Sequence, residues 1–255
     1  MFRLWKALCL ALALAALGVL AASCGAGGTS YRVLDTIANY NYQGTGGFDI
    51  TLNGSTEFTG VQFTNINPPG KDAYKSVSPG SQTLDVFPHA ITVGGVPVLE
   101  GSFNFNSHTR YTVLLMGDNR TNPFGAQPFT DNDTAPSSGD FEFRVIDASN
   151  NMPNPPPGQA GGIDIYVVGS PNVVTGPNPP APNANLVFGQ ASSYVSNPAS
   201  SGTPWWLVVT NHLGHVPIIN PTSYSPSALQ IETIVLVDGP NGAGYGSPLI
   251  YGDLN

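Results

Sequence analysis

The chain has 255 residues, room for about two domains of ordinary size. Hydrophobic residues make up 41% of it, enough for packed cores, but charged residues only 9%, against roughly 25% in typical soluble proteins. With 30 Gly and 24 Pro, the surface falls mostly to Asn, Ser, Thr and Gly. That composition suits short strands and many turns, and it excludes a bundle of amphipathic helices, which need charged faces. The formal net charge of −8 repels nucleic acid and anionic surfaces, so no nucleic-acid partner is expected.

Residues 1–23 read as a bacterial signal peptide. Arg3 and Lys6 form a positive n-region, and Ala7 to Leu20 is an unbroken apolar run of 14 residues, shorter than the roughly 20 needed to span a bilayer. It ends Leu20-Ala21-Ala22-Ser23-Cys24-Gly25, which resembles a lipobox with Ala21 in place of Leu. Ordinary cleavage after Ser23 is the alternative. Cys9 lies in the leader, so Cys24 is left as a lone thiol; lipidation of Cys24 would consume it. The expectation is a membrane partner reached through an N-terminal lipid anchor, at the outer membrane or cell surface, with a periplasmic or secreted protein as the alternative.

After a Gly-rich tether over 24–30, two stretches repeat one pattern. Arg32-Val33-Leu34-Asp35 is followed by a loop and Gly46-Gly47-Phe48-Asp49-Ile50-Thr51-Leu52; Arg144-Val145-Ile146-Asp147 is followed by a loop and Gly161-Gly162-Ile163-Asp164-Ile165-Tyr166-Val167. The correspondence continues through Val61-Gln62-Phe63 with Leu186-Val187-Phe188, Leu84-Asp85-Val86 with Leu207-Val208-Val209, Thr112-Val113-Leu114 with Thr233-Ile234-Val235, and Phe129-Thr130-Asp131 with Tyr251-Gly252-Asp253. The spacing predicts strands at 31–36, 47–53, 57–66, 72–77, 82–88, 96–105, 109–117 and 126–131. A second set falls at 142–148, 162–169, 184–190, 192–196, 204–211, 215–219, 229–238 and 247–252. The implied fold is all-β, two tandem immunoglobulin-like antiparallel sandwiches over 31–134 and 141–255 with a linker at 135–140, each large enough to fold alone.

The run Phe129-Thr130-Asp131-Asn132-Asp133-Thr134-Ala135-Pro136, the stretch Gly162-Ile163-Asp164-Ile165-Tyr166-Val167, the hairpin Tyr74-Lys75-Ser76-Val77-Ser78-Pro79-Gly80 and the strand Arg110-Tyr111-Thr112-Val113 resemble the repeats of a bacterial cell-envelope family. That family is known only as domain-of-unknown-function 4397. Asp35 and Asp147 depart from its pattern, as does the long Asn/Pro-rich loop at 150–161. The resemblance implies a β-sandwich and an envelope setting, and it transfers no catalytic residue.

Most residues that could carry chemistry read as structure. Alternation puts Asp49 and Asp164 away from the core, as metal ligands or as paired surface groups. Asp131-Asn132-Asp133 lacks the turn Gly and distal Glu of a calcium loop and reads as turn chemistry. His212-Leu213-Gly214-His215 lacks further zinc ligands nearby and reads as a hairpin turn. No Gly-x-Ser-x-Gly elbow or Cys–His pair supports nucleophilic catalysis. No catalytic residue, metal or cofactor is assigned.

Trp205 shares the core face with Leu207 and Val209, whereas Trp206 faces outward. Trp206, with Tyr166 and Tyr194, forms the candidate binding set, for a glycan or an envelope protein. Arg32 and Arg144 are expected to pair across strands with Asp49 and Asp164, at the surface. The function implied is a non-enzymatic binding or display module. Its rivals are a glycan- or ester-hydrolysing enzyme and a self-associating adhesin or surface-layer component.

Overall fold

A computed structural model describes residues 28–38, 46–70, 73–89, 95–117, 124–153, 161–199, 202–239 and 244–254. The expected leader and Cys24 lie outside the described residues.

The first sandwich pairs two sheets. One holds β1 (Ser30–Asp35), β4 (Ile66–Asn67), β5 (Lys75–Ser76), β8 (Arg110–Met116) and β9 (Gly125–Asp131), in the order β4-β1-β8-β9 with β5 also on β1. The other runs β3-β2-β6-β7, from β2 (Phe48–Leu52), β3 (Ser55–Val61), β6 (Gly80–Pro88) and β7 (Leu99–Phe105). Between them pack Tyr31, Val33, Ile50, Leu84, Phe105 and Val113.

The second sandwich has the same strand order. β13-β10-β16-β17 comprises β10 (Asp140–Asp147), β13 (Val195–Pro198), β16 (Ile231–Leu236) and β17 (Leu249–Leu254). β12-β11-β14-β15 comprises β11 (Ile163–Val168), β12 (Ala184–Leu186), β14 (Trp205–Asn211) and β15 (Thr222–Tyr224). Register agrees too: Leu52 faces Leu84 as Val167 faces Leu207, and Arg32 faces Thr112 as Arg144 faces Thr233. The sheets are not wholly antiparallel, because β1–β8 and β10–β16 are parallel pairs. A one-turn helix, α1 (Asn172–Thr175), interrupts the strands.

Gly47 and Gly162 explain why the second strand of each sandwich opens on glycine. Their φ angles are +96° and +97°, a region that side chains rarely adopt. A Cβ there would lie 2.1 Å from the carbonyl oxygen of Val61 or of Leu186. Both glycines let neighbouring backbones approach.

The stretch 215–219 is not a strand. β14 pairs instead with Thr222–Tyr224, and Pro217 makes only an isolated bridge to Thr210, as expected where proline supplies no N–H.

A third core lies between the sandwiches. Leu34, Leu114, Met116 and Phe129 from the first meet Ile146, Ala148, Val235 and Val237 from the second. The molecule is therefore four sheets deep, and the two inner sheets bury both faces. Strands of that kind read as near-continuous apolar runs, as Arg110–Met116 and Ile231–Leu236 do.

Candidate functional site

At one end of the third core sit two buried arginines, each reaching into the other sandwich. Arg32 Nε donates to Thr112 Oγ1 at 2.8 Å, Nη1 to the Gly252 carbonyl at 2.6 Å, and Nη2 to Asp253 Oδ1 at 2.5 Å. Arg144 repeats this in reverse: Nε donates to Thr233 Oγ1 at 2.8 Å, Nη1 to the Thr130 carbonyl at 2.6 Å, and Nη2 to Asp131 Oδ1. Thr112 Oγ1 in turn donates to Asp131 Oδ2 at 2.7 Å, and Thr233 Oγ1 donates to Asp253 Oδ2 at 2.6 Å. Tyr74 lies over the Arg32 guanidinium and donates to Asp131, while Tyr194 lies over Arg144 and donates to Asp253. Both arginines and both carboxylates are buried.

Two cations and two anions balance here, and every hydrogen-bonding direction named is used. Buried charges persist only when paired and hydrogen-bonded in this way. Burial and the neighbouring Asp131 push the Asp253 carboxyl up, with Arg144 and Arg32 pulling it back. The cluster holds the sandwiches together.

This corrects the expected pairing of Arg32 with Asp49 and of Arg144 with Asp164. β1 and β2 lie in different sheets, as do β10 and β11, so those partners are separated by a core. Asp131, read from sequence as turn chemistry, is the hinge of the cluster, although Asn132 does cap the turn by accepting the Thr134 N–H at 3.0 Å. The usable signal was the alignment of Asp131 with Asp253 behind Thr112 and Thr233.

β1, β8, β10 and β16 all continue from the charged cluster into the third core, so their ends lie on the same side of it. There Asp49 accepts the Gly60 N–H at 2.9 Å and meets His89 Nδ1 at 2.7 Å. Asp164 repeats the arrangement, 3.0 Å from His212 Nδ1, accepting from Leu213 N–H and Asn185 Nδ2, each at 2.9 Å. Burial works against the Asp164 charge, but His212 and these donors hold its carboxyl below the usual range. Each pair pins a hairpin end. Among the described residues no group of three or more His, Cys, Asp and Glu side chains is placed to hold a metal ion.

Two further carboxylates are buried beside these ends. Desolvation pushes Asp35 up to about 7, against a hydrogen bond from the Ile37 N–H. It does the same to Asp147, against the Ser149 N–H and with help from the neighbouring Asp238. Asp147 Oδ2 is buried and meets no hydrogen-bond partner, a position that favours the neutral carboxyl.

The candidate binding residues are not brought together. Trp206 lies on the outer face of its sheet, but Val174 of α1 closes over that face, and Trp206 packs with Tyr166, Val168 and Val208. Tyr166 is buried in this patch. Tyr194 belongs to the arginine cluster. Trp205 takes the core face as expected but is only half-buried, packed against Phe141 with its Nε1 donating to the Pro198 carbonyl at 3.2 Å.

Residues 32–154 match the family model described as Domain of unknown function (DUF4397). This stretch covers the first sandwich from Arg32 of β1 onward, together with β10. It is similar to that family. No curated protein matches the chain.

Proposed function

We propose that the protein is a non-enzymatic lipoprotein of the bacterial cell envelope, two copies of one module fused into a rigid pillar that displays loops away from the membrane. The observation that carries this is the shared polarity of the sandwiches about the arginine cluster. β1 starts at Ser30 on one side of the cluster, and the Asp–His-pinned hairpins lie on the other. If Cys24 carries the lipid, the six residues to Ser30 reach at most about 20 Å, so the anchor and the loops are at opposite ends.

The apolar run before Cys24 and the lone thiol support the anchor. Buried ion pairs and a shared core support rigidity, since such a unit does not flex as two beads on a linker would. The polar groups described above are spent on holding hairpins and sandwiches, which favours display over catalysis.

The test is fractionation of cells making the wild type and Cys24→Ser, with protease or antibody access probed at Leu213 on intact cells. The reading requires membrane recovery of the wild type, release of Cys24→Ser, and an accessible Leu213. An unmodified Cys24 by mass spectrometry, or a soluble wild type, contradicts it.

A further inference from the structure

The two sandwiches differ most at one edge. In the first, β7 runs seven residues and pairs with β6 from Gly80 to Val86. At the equivalent edge of the second, β15 has three residues and pairs only with Trp205 to Leu207. Pro217, Pro221 and Pro226 flank it, and a residue without an N–H cannot extend a ladder. The short edge leaves a mouth between the 218–222 segment and the turn entering β17, with a cavity of about 310 Å³. Small-molecule sites span roughly 300–1,000 Å³, so this holds a small ligand.

Buried Ile219 lines the mouth together with Asn220, Thr222, Tyr245, Ser247 and Pro248. Tyr245 is 41% exposed, yet its backbone is tied down. It bridges Asp238, and the adjoining Gly246 N–H donates to the Val237 carbonyl at 2.9 Å. A Cβ on Gly246 would come within 2.4 Å of the Asp238 carbonyl oxygen, so glycine keeps this turn against β16.

None of the described residues lining the mouth is charged, and no Lys or Arg follows Arg144. An anion finds no counter-charge here, and a cation finds no carboxylate. What the lining offers is an aromatic side chain, an amide and two hydroxyls. Those groups suit a ring with an apolar C–H face and hydroxyl edges. We infer that the mouth binds a short neutral saccharide, with Tyr245 as the stacking platform and Asn220, Thr222 and Ser247 as its hydrogen-bonding rim. The inference rests on the display reading only for its setting, at the loop end of the pillar.

The test is calorimetric titration of the full-length protein, kept in a detergent without a sugar headgroup. The probes are neutral oligosaccharides of glucose, mannose, galactose and N-acetylglucosamine, with polygalacturonate as the anionic comparison. At least one neutral series is expected to bind. Tyr245→Ala should weaken that binding about tenfold or more with the thermal midpoint unchanged, Tyr245→Phe should retain it, and Trp206→Ala should leave it unaltered. Absence of neutral binding, preference for the anion, undiminished binding by Tyr245→Ala, or loss through Trp206→Ala alone overturns the inference. Binding in detergent does not depend on where the cell puts the protein, so failure of the anchor and failure of this site are read separately.

Discussion

Arg32 and Asp253, 221 residues apart in the chain, are joined by a 2.5 Å hydrogen bond in which neither side chain has any solvent exposure. Asp253 lies in the last strand of the second sandwich and Arg32 in the first strand of the first. The first and last described strands, β1 and β17, are thereby joined. Removing one partner of a buried pair leaves the other's charge under-compensated, at a cost of about 3–5 kcal/mol, even though Arg32 Nε also lies 3.9 Å from Asp131 Oδ2. Asp253→Ala and Arg32→Met are each expected to destabilise by about that much in urea denaturation. The double variant should cost less than the two singles combined, because it strands no charge.

The first sandwich alone is expected to be much weaker than the whole protein. Cut after residue 140, it would expose Leu34, Leu114, Met116 and Phe129 and leave Arg32 without Asp253. Its own core is complete, so strand-type circular dichroism should appear, with a lower midpoint or with association through the bared face. A monomer melting as high as the full chain contradicts the shared core.

Asp35 and Asp147 give the fold an unusual pH dependence. Both hold protons up to about pH 7 in the folded state, whereas an unfolded Asp releases its proton near 3.9. The folded state binds more protons between those values, so their contribution is complete below about pH 4 and is lost as pH rises through 7. The thermal midpoint should rise as pH falls from 8 to 5. Asp147→Asn should flatten that slope, since an amide keeps roughly the neutral shape at every pH. A midpoint that falls over this range in the wild type, or an unchanged slope in Asp147→Asn, counts against the assignment. Asp164 acts in the opposite sense, and only at lower pH, because its folded value is depressed.

Gly162→Ala tests the close approach of β11 and β12. The added carbon would meet the Leu186 carbonyl at 2.1 Å on a backbone with φ of +97°, and strain of this kind costs about 1–3 kcal/mol before any clash is relieved. Gly47→Ala should cost a similar amount in the first sandwich. Gly54→Ala, with nothing within 4 Å of its added carbon, should cost less than either, as chemical denaturation would show.

Trp205 and Trp206 test the register of β14. They lie on opposite faces, one on the second sandwich's core and one under α1. Emptying a large buried site costs about 3–5 kcal/mol, and both residues are half-buried, so each Trp→Ala variant should cost about 1–3 kcal/mol. A neutral Trp206→Ala would mean that α1 does not cover it in solution.

The all-β class and the matching positions Asp49 with Asp164 and Leu84 with Leu207 were legible because alternation and glycine turns are local signals. The partners of Arg32 and Arg144 were not: Asp253 lies 221 positions from Arg32, and Asp131, only 13 positions before Arg144, sits in the other sandwich, so no strand periodicity links either pair. Reading β1 with one solvent face sent Arg32 outward, yet Leu34, Leu114 and Val235 occupied that same face and left it no water. Trp206 takes the outer face that alternation gave it, but its cover was not legible: Val174 comes back over that face from a Pro-rich loop with no periodicity to read.

Differential scanning calorimetry of the full chain tests the central claim, that two sandwiches share one core and one charge cluster. The account predicts a single transition whose calorimetric and van't Hoff enthalpies agree, shifted as a whole to lower temperature by Arg32→Met. Two transitions, with Arg32→Met lowering only one of them, would contradict it.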